Sequence, residues 1–209
     1  MDEENTPPFF TLDPMESARL QLVMSALDGG DWKNMVESDD DLRILLLNQG
    51  VEEPTDRSKI KWDDANLFFL SCLKLDKNSR PLILEAGFSK EKFGRFPHGN
   101  SSAISYLLDW IRTSTRDDAA FARLEIHLET LNSRLETTTM ATGIGRLALK
   151  GWLDSKETTQ LRIDLTGTCW MPAGEEPLDG GCHYAAKHLV ALLRAAEKRV
   201  CGVLFRIHI

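Results

Sequence analysis

From Phe121 to Leu135 the apolar residues Phe121, Leu124, Leu128, Leu131 and Leu135 recur at intervals of three and four, and from Leu147 onward the interval shortens to two. The first spacing keeps one face of a helix apolar, and the second keeps one face of a strand apolar. A chain that changes period in this way is expected to be α+β, with a helical N-terminal domain followed by a long connecting helix and a small β-β-α-β C-terminal unit. The boundaries read as a flexible acidic arm over 1–12, a helical domain over 13–136 that includes the long helix 117–135, and an α/β unit over 137–209.

Within the helical part, Asp13-Pro14 reads as a helix start, with Ala18, Leu22, Val23, Ala26 and Leu27 on one face until Gly29-Gly30. Asp39, Asp40 and Asp41 suit the positive end of a second helix, and Trp62-Asp63 opens a third that is apolar nearly all round. Ser101 or Ser102 caps a further helix carrying Ile104, Leu107, Leu108 and Ile111. The threonine- and glycine-rich stretch 137–145 reads as a flexible joint. Leu161, Ile163, Leu165, Cys169 and Met171 alternate with polar residues and predict a half-buried strand. A helix with Ala185, Leu189, Leu192 and Ala196 inward and a last strand from Cys201 to Ile209 complete the unit.

Charge narrows the partners. Residues 1–50 hold eleven Asp and Glu against three Lys and Arg, which accounts for the net charge of −7. Nucleic acid and anionic lipid reward basic surfaces, so neither is the first expectation. The exception is the segment Lys90, Lys92, Arg95 and His98, interleaved with Phe88, Phe93 and Phe96, a mix that suits an acidic surface, a membrane or single-stranded nucleic acid. Four widely spaced cysteines and an acidic, polar start point to reduced thiols in a cytoplasmic or nuclear protein, and no apolar run reaches the ~20 residues of a spanning helix.

Chemistry-bearing residues are few. In Asp179-Gly180-Gly181-Cys182-His183 a thiol precedes a helix, where unpaired amides favour thiolate. This string, with Tyr184 after it, resembles the nucleophile motif of OTU-type cysteine proteases, and the resemblance implies Cys182 as nucleophile with His208 or His183 as base. Only 27 residues follow Cys182, against a long intervening stretch in that family. Zinc ligation by Cys169, Cys182, His183 and His188 is disfavoured because His183 and His188 are five apart, about 140° around a helix. Neither metal nor cofactor is expected. Phe10–Val23 and Gly99–Ile111 resemble parts of the divergent calponin-homology domains of intraflagellar-transport subunits, which implies contacts with tubulin or sister subunits.

The leading expectation is a non-enzymatic interaction or assembly protein whose contacts run through Phe9 and Phe10 of the arm and through the stripe Phe121, Leu124, Leu128, Leu131 and Leu135. That stripe either packs on the chain's own helices or forms a partner or self-association seam. The alternatives are a cysteine hydrolase using Cys182, or a small viral or regulatory assembly protein meeting membrane or nucleic acid through residues 90–98.

Overall fold

The computed structural model describes residues 7–115 and 117–208, so most of the acidic start lies outside the described residues. The fold is α+β, and its frame is one antiparallel sheet. The sheet consists of β1 (Phe9–Met15), β3 (Thr142–Gly143), β4 (Leu147–Leu153) and β6 (Gly202–His208), in the order β1-β6-β4-β3. The remaining strands, β2 (Ile111–Thr113) and β5 (Trp170–Pro172), pair with each other apart from it.

Side chains alternate across a strand, and β6 shows both sides of the sheet to be buried. Val203 and Phe205 enter one apolar core while Leu204 enters another. On the Leu204 side lie α1 (Ser17–Leu27), α2 (Trp32–Glu37), α3 (Asp40–Asn48) and α4 (Asp64–Cys72). On the Phe205 side lie α5 (Phe88–Gly94), α6 (Ala103–Trp110), α7 (Asp118–Ser133), α8 (Ser155–Thr166) and α9 (Gly181–Glu197). The result is three layers, helices on both faces of a sheet whose strands come from both ends of the chain. The expected boundary between a 13–136 domain and a 137–209 unit therefore falls inside a shared sheet.

Several starts were legible as caps. Asp39, Asp63 and Asp117 accept the backbone N–H of Leu42, Asn66 and Ala120 at the starts of α3, α4 and α7, and Ser102 and Ser105 form a reciprocal capping box on α6.

Four expectations change. The arm, from Phe9 on, is strand β1, paired residue by residue with β6 from Phe9↔His208 to Met15↔Gly202. Pro14 is tolerated because β1 lies at the sheet's edge, and the helix begins only at Ser17. This also departs from the calponin-homology resemblance, in which Phe10–Val23 leads directly into a helix. Phe10 is buried and stacked on Phe205 at 5.5 Å, so it docks within the chain.

The stripe on α7 is core. Leu124, Leu128 and Leu131 are fully buried in the Phe205-side core, against which Phe121 packs partly, and Leu135 is fully buried in the Leu204-side core, so the seam has no free face to offer a partner. The segment 161–165 is the helix α8, whose start is fixed by a capping box between Asp154 and Glu157. Leu161 and Leu165 satisfy the helical i, i+4 spacing as well as alternation, and Ile163, which a strand would turn inward with them, is 45% exposed. Finally, Thr142–Gly145 is a hairpin. Of the three residues that join the paired Gly143 and Leu147, Gly145 and Arg146 take positive φ, at 78° and 61°, which turns the chain back on itself.

Candidate functional site

On the Leu204 face, the open end of the sheet carries four polar side chains: Thr11 and Asp13 from β1, Arg206 and His208 from β6. Register places Thr11 opposite Arg206, and spacing of two keeps each pair on one face. Arg206 binds Asp13 through both nitrogens, Nε–Oδ2 at 2.7 Å and Nη2–Oδ1 at 3.0 Å, and its guanidinium lies 4.9 Å from the centre of the Phe69 ring on α4. Thr11 Oγ1 donates to Asp13 Oδ2 at 3.2 Å and sits 3.1 Å from His208 Nε2. A hydroxyl has one proton, here committed to a carboxylate that can only accept, so the network assigns the Nε2 proton to His208. The imidazole therefore donates to Thr11 and does not act as its base.

Depressions adjoin this quartet on both sides of Arg206. One of about 350 Å³ is lined by Asn66, Phe69, Leu70, Ile144, Arg146 and His208, among others. The other, of about 310 Å³, reaches Phe69, Ile83 and Lys90. Further along α4 a third shares Asn66, Leu70 and Ile144 with the first, and it meets a fourth at Trp62. Together they trace a trough along the outer side of α4. The β3–β4 hairpin forms its wall and is strapped to α4: Ile144 N–H donates to Asp63 Oδ2 at 3.0 Å, and Asn66 Nδ2 donates to the Ile144 carbonyl at 3.1 Å. A Cβ on Gly143 would lie 2.5 Å from Asp63 Oδ1, so only glycine admits this approach. Burial acts against the Asp63 carboxylate, but the amides of Asn66 and Ile144 outweigh it and hold its pKa below the usual value.

The candidate nucleophile lies elsewhere, on the other side of the sheet. Cys182 is fully buried at the start of α9, where burial and the neighbouring Glu176 carboxylate push its thiol up to about 12. Glu176 accepts the Cys182 N–H and a hydrogen bond from the Tyr106 hydroxyl, so the helix N-terminus is already occupied by an anion. Attack needs a thiolate, which burial and the Glu176 carboxylate both disfavour. His208 lies across the sheet: its side chain shares a face with Arg206, whereas Cys182 packs in the core on the Phe205 side. His183 stacks beside Trp170 at 5.4 Å. Among the described residues no three His, Cys, Asp or Glu side chains group as metal ligands would.

The basic segment divides between core and surface. Phe93 and Phe96 are buried and unavailable for stacking, Lys92 covers the Phe88 ring at 4.8 Å, and Arg95 pairs with Glu91 and lies 5.2 Å from the Phe9 ring centre. Lys90 faces the trough. Among the described residues no helix is long and apolar enough to cross a membrane.

Sequence reading missed His188 as a buried base. His188 is 4% exposed, with Nδ1 3.0 Å from Ser89 Oγ, but neither residue lines any of the depressions above. Burial, followed by Lys187 and Lys92, lowers its pKa; burial also leads for His127 and, with Arg206 and Lys90, for His208. Each folded pKa lies below the ordinary 6.5, so the unfolded chain binds these protons first. Stability is then complete above about pH 6.5 and declines as the medium is acidified. Urea midpoints measured between about pH 7.5 and 5.5 should fall, and His188→Phe should flatten the slope. Midpoints that hold steady or rise in acid would refute the assignment.

Comparison with protein-family models, with curated proteins and with solved structures finds no match, so geometry carries the functional reading.

Proposed function

We propose that this chain is a non-enzymatic interaction protein that recognises a protein partner through the trough along α4. The observation that carries the reading is the contrast between the two kinds of site. Reactive groups are committed to internal partners: Cys182 to burial beside Glu176, Thr11 to Asp13, Arg206 to Asp13. The trough, in contrast, presents Ile144 at 75% exposure beside the half-buried Leu70 and Trp62. Contiguous exposed apolar surface with a polar rim is the usual mark of a recognition site. Four unbridged, buried cysteines fit a cytoplasmic or nuclear setting for such a protein.

A photo-crosslinking residue at position 144 tests this in cells that express the chain. Position 126 on α7 is the control, since Ile126 is similarly apolar and 57% exposed but remote from the trough. A defined protein joined at 144 and not at 126 is the expected result. Equal capture at both positions, or none at 144, would refute it.

A further inference from the structure

Charge in the trough is lopsided in a way the whole chain is not. Its two central carboxylates are already satisfied, Asp13 by both nitrogens of Arg206 and Asp63 by the amides of Asn66 and Ile144. Its cations are not all so. Among the described residues Arg146 and Lys90 form no ion pair, and they line the trough at its hairpin wall and its Ile83 end, whereas at the Trp62 end Lys61 stands with Glu52, which likewise forms none. An acidic protein thus keeps, from Ile83 to the hairpin wall, an apolar channel edged by uncompensated positive charge.

On this basis we infer that the trough takes an extended acidic peptide segment of a partner protein, its aliphatic or aromatic side chains seated by Leu70 and Ile144 and its carboxylates met by Arg146 and Lys90. The inference rests on the interaction reading above and adds the chemical class of the partner. The geometry suits an extended chain: α4 has nine residues, about 13 Å at ~1.5 Å each, which four or so extended residues span at ~3.3 Å each. Alternate side chains of such a strand face the channel and its rim in turn, matching an apolar floor with cationic edges. Nucleic acid is disfavoured because the net charge of −7 repels a polyanion that extends past the trough, and because Phe69, the aromatic at its centre, is already covered by Arg206.

Selection of a random dodecapeptide phage library on the immobilised full chain is the test, followed by fluorescence anisotropy with a dye-labelled copy of the most enriched peptide. Peptides mixing Asp or Glu with large apolar residues should be enriched. Their affinity should fall about tenfold for each of Arg146→Glu and Lys90→Glu, and it should weaken with salt. Both positions are exposed and without an ion pair, so circular dichroism should show either variant folded as the parent. Enrichment of peptides lacking acidic residues, binding that ignores both substitutions, no enrichment at all, or equally tight, charge-sensitive binding of an oligothymidylate would overturn the inference. Should it fail while crosslinking at 144 still captures a defined protein, only the acidic class falls and the interaction reading stands.

Discussion

Leu128→Asp is expected to leave no folded protein, and the reason lies in where α7 points. Leu128 is fully buried in the middle of a helix that packs on β4, α6 and α8. Truncation to alanine alone would cost about 2–5 kcal/mol, and an unpaired buried carboxylate adds several more. Together these rival the ~5–15 kcal/mol that holds a typical domain folded. Ile126→Asp, two residues away on the exposed side, should shift stability by no more than about 0.5 kcal/mol. Circular dichroism melts with size-exclusion chromatography distinguish the two. A Leu128→Asp protein that is folded but smaller in assembly would restore the stripe as an interface between chains.

Gly151→Ala should be nearly as damaging, although the change is a single methyl group. A Cβ there would stand 2.2 Å from the Thr130 carbonyl oxygen and 2.6 Å from that of Leu131, both backbone atoms of α7 that cannot rotate aside. The irregularity in β4 between Leu149 and Gly151 brings the strand under the helix end. The join is fastened on both sides: Leu135 N–H donates to the Lys150 carbonyl at 2.9 Å, and the Arg134 guanidinium covers the Trp152 ring at 3.5 Å. Helix and strand would have to part, costing about 3 kcal/mol or more. Gly174, around which an added Cβ meets nothing within 4 Å, supplies the control. Similar urea midpoints for Gly151→Ala and Gly174→Ala would disprove the contact.

These two positions mark how far the sequence could be read. Caps at Asp39, Asp63, Ser102 and Asp117 announced four helices because a cap is a local bond, complete within three residues. The α7 stripe announced an apolar face but not what covers it, since β4 lies fourteen or more residues beyond the helix. At Leu161–Leu165 two periods coincide, and the deciding signal was the Asp154–Glu157 capping pair. Strand β1 was illegible for a different reason: its partner is nearly two hundred residues away, and propensity near Pro14 favours a helix start. The candidate site inherits that difficulty. Thr11 and Asp13 show spacing of two, as do Arg206 and His208, but only register brings the pairs together. The trough is assembled from 50–53, 59–70, 81–84 with Lys90, 144–147 and 206–208, segments that no local pattern relates.

The pairing of β1 with β6 also sets an order in time. During synthesis β1 emerges first and β6 last among the described strands, yet β6 is the inner strand that hydrogen-bonds both β1 and β4. Until it leaves the ribosome, β1 has no strand neighbour in that sheet and β4 has only the two-residue β3. Such long-range closure makes folding slow and places it after translation of these residues. It also leaves the nascent chain dependent on shielding of its apolar segments until the final strand arrives.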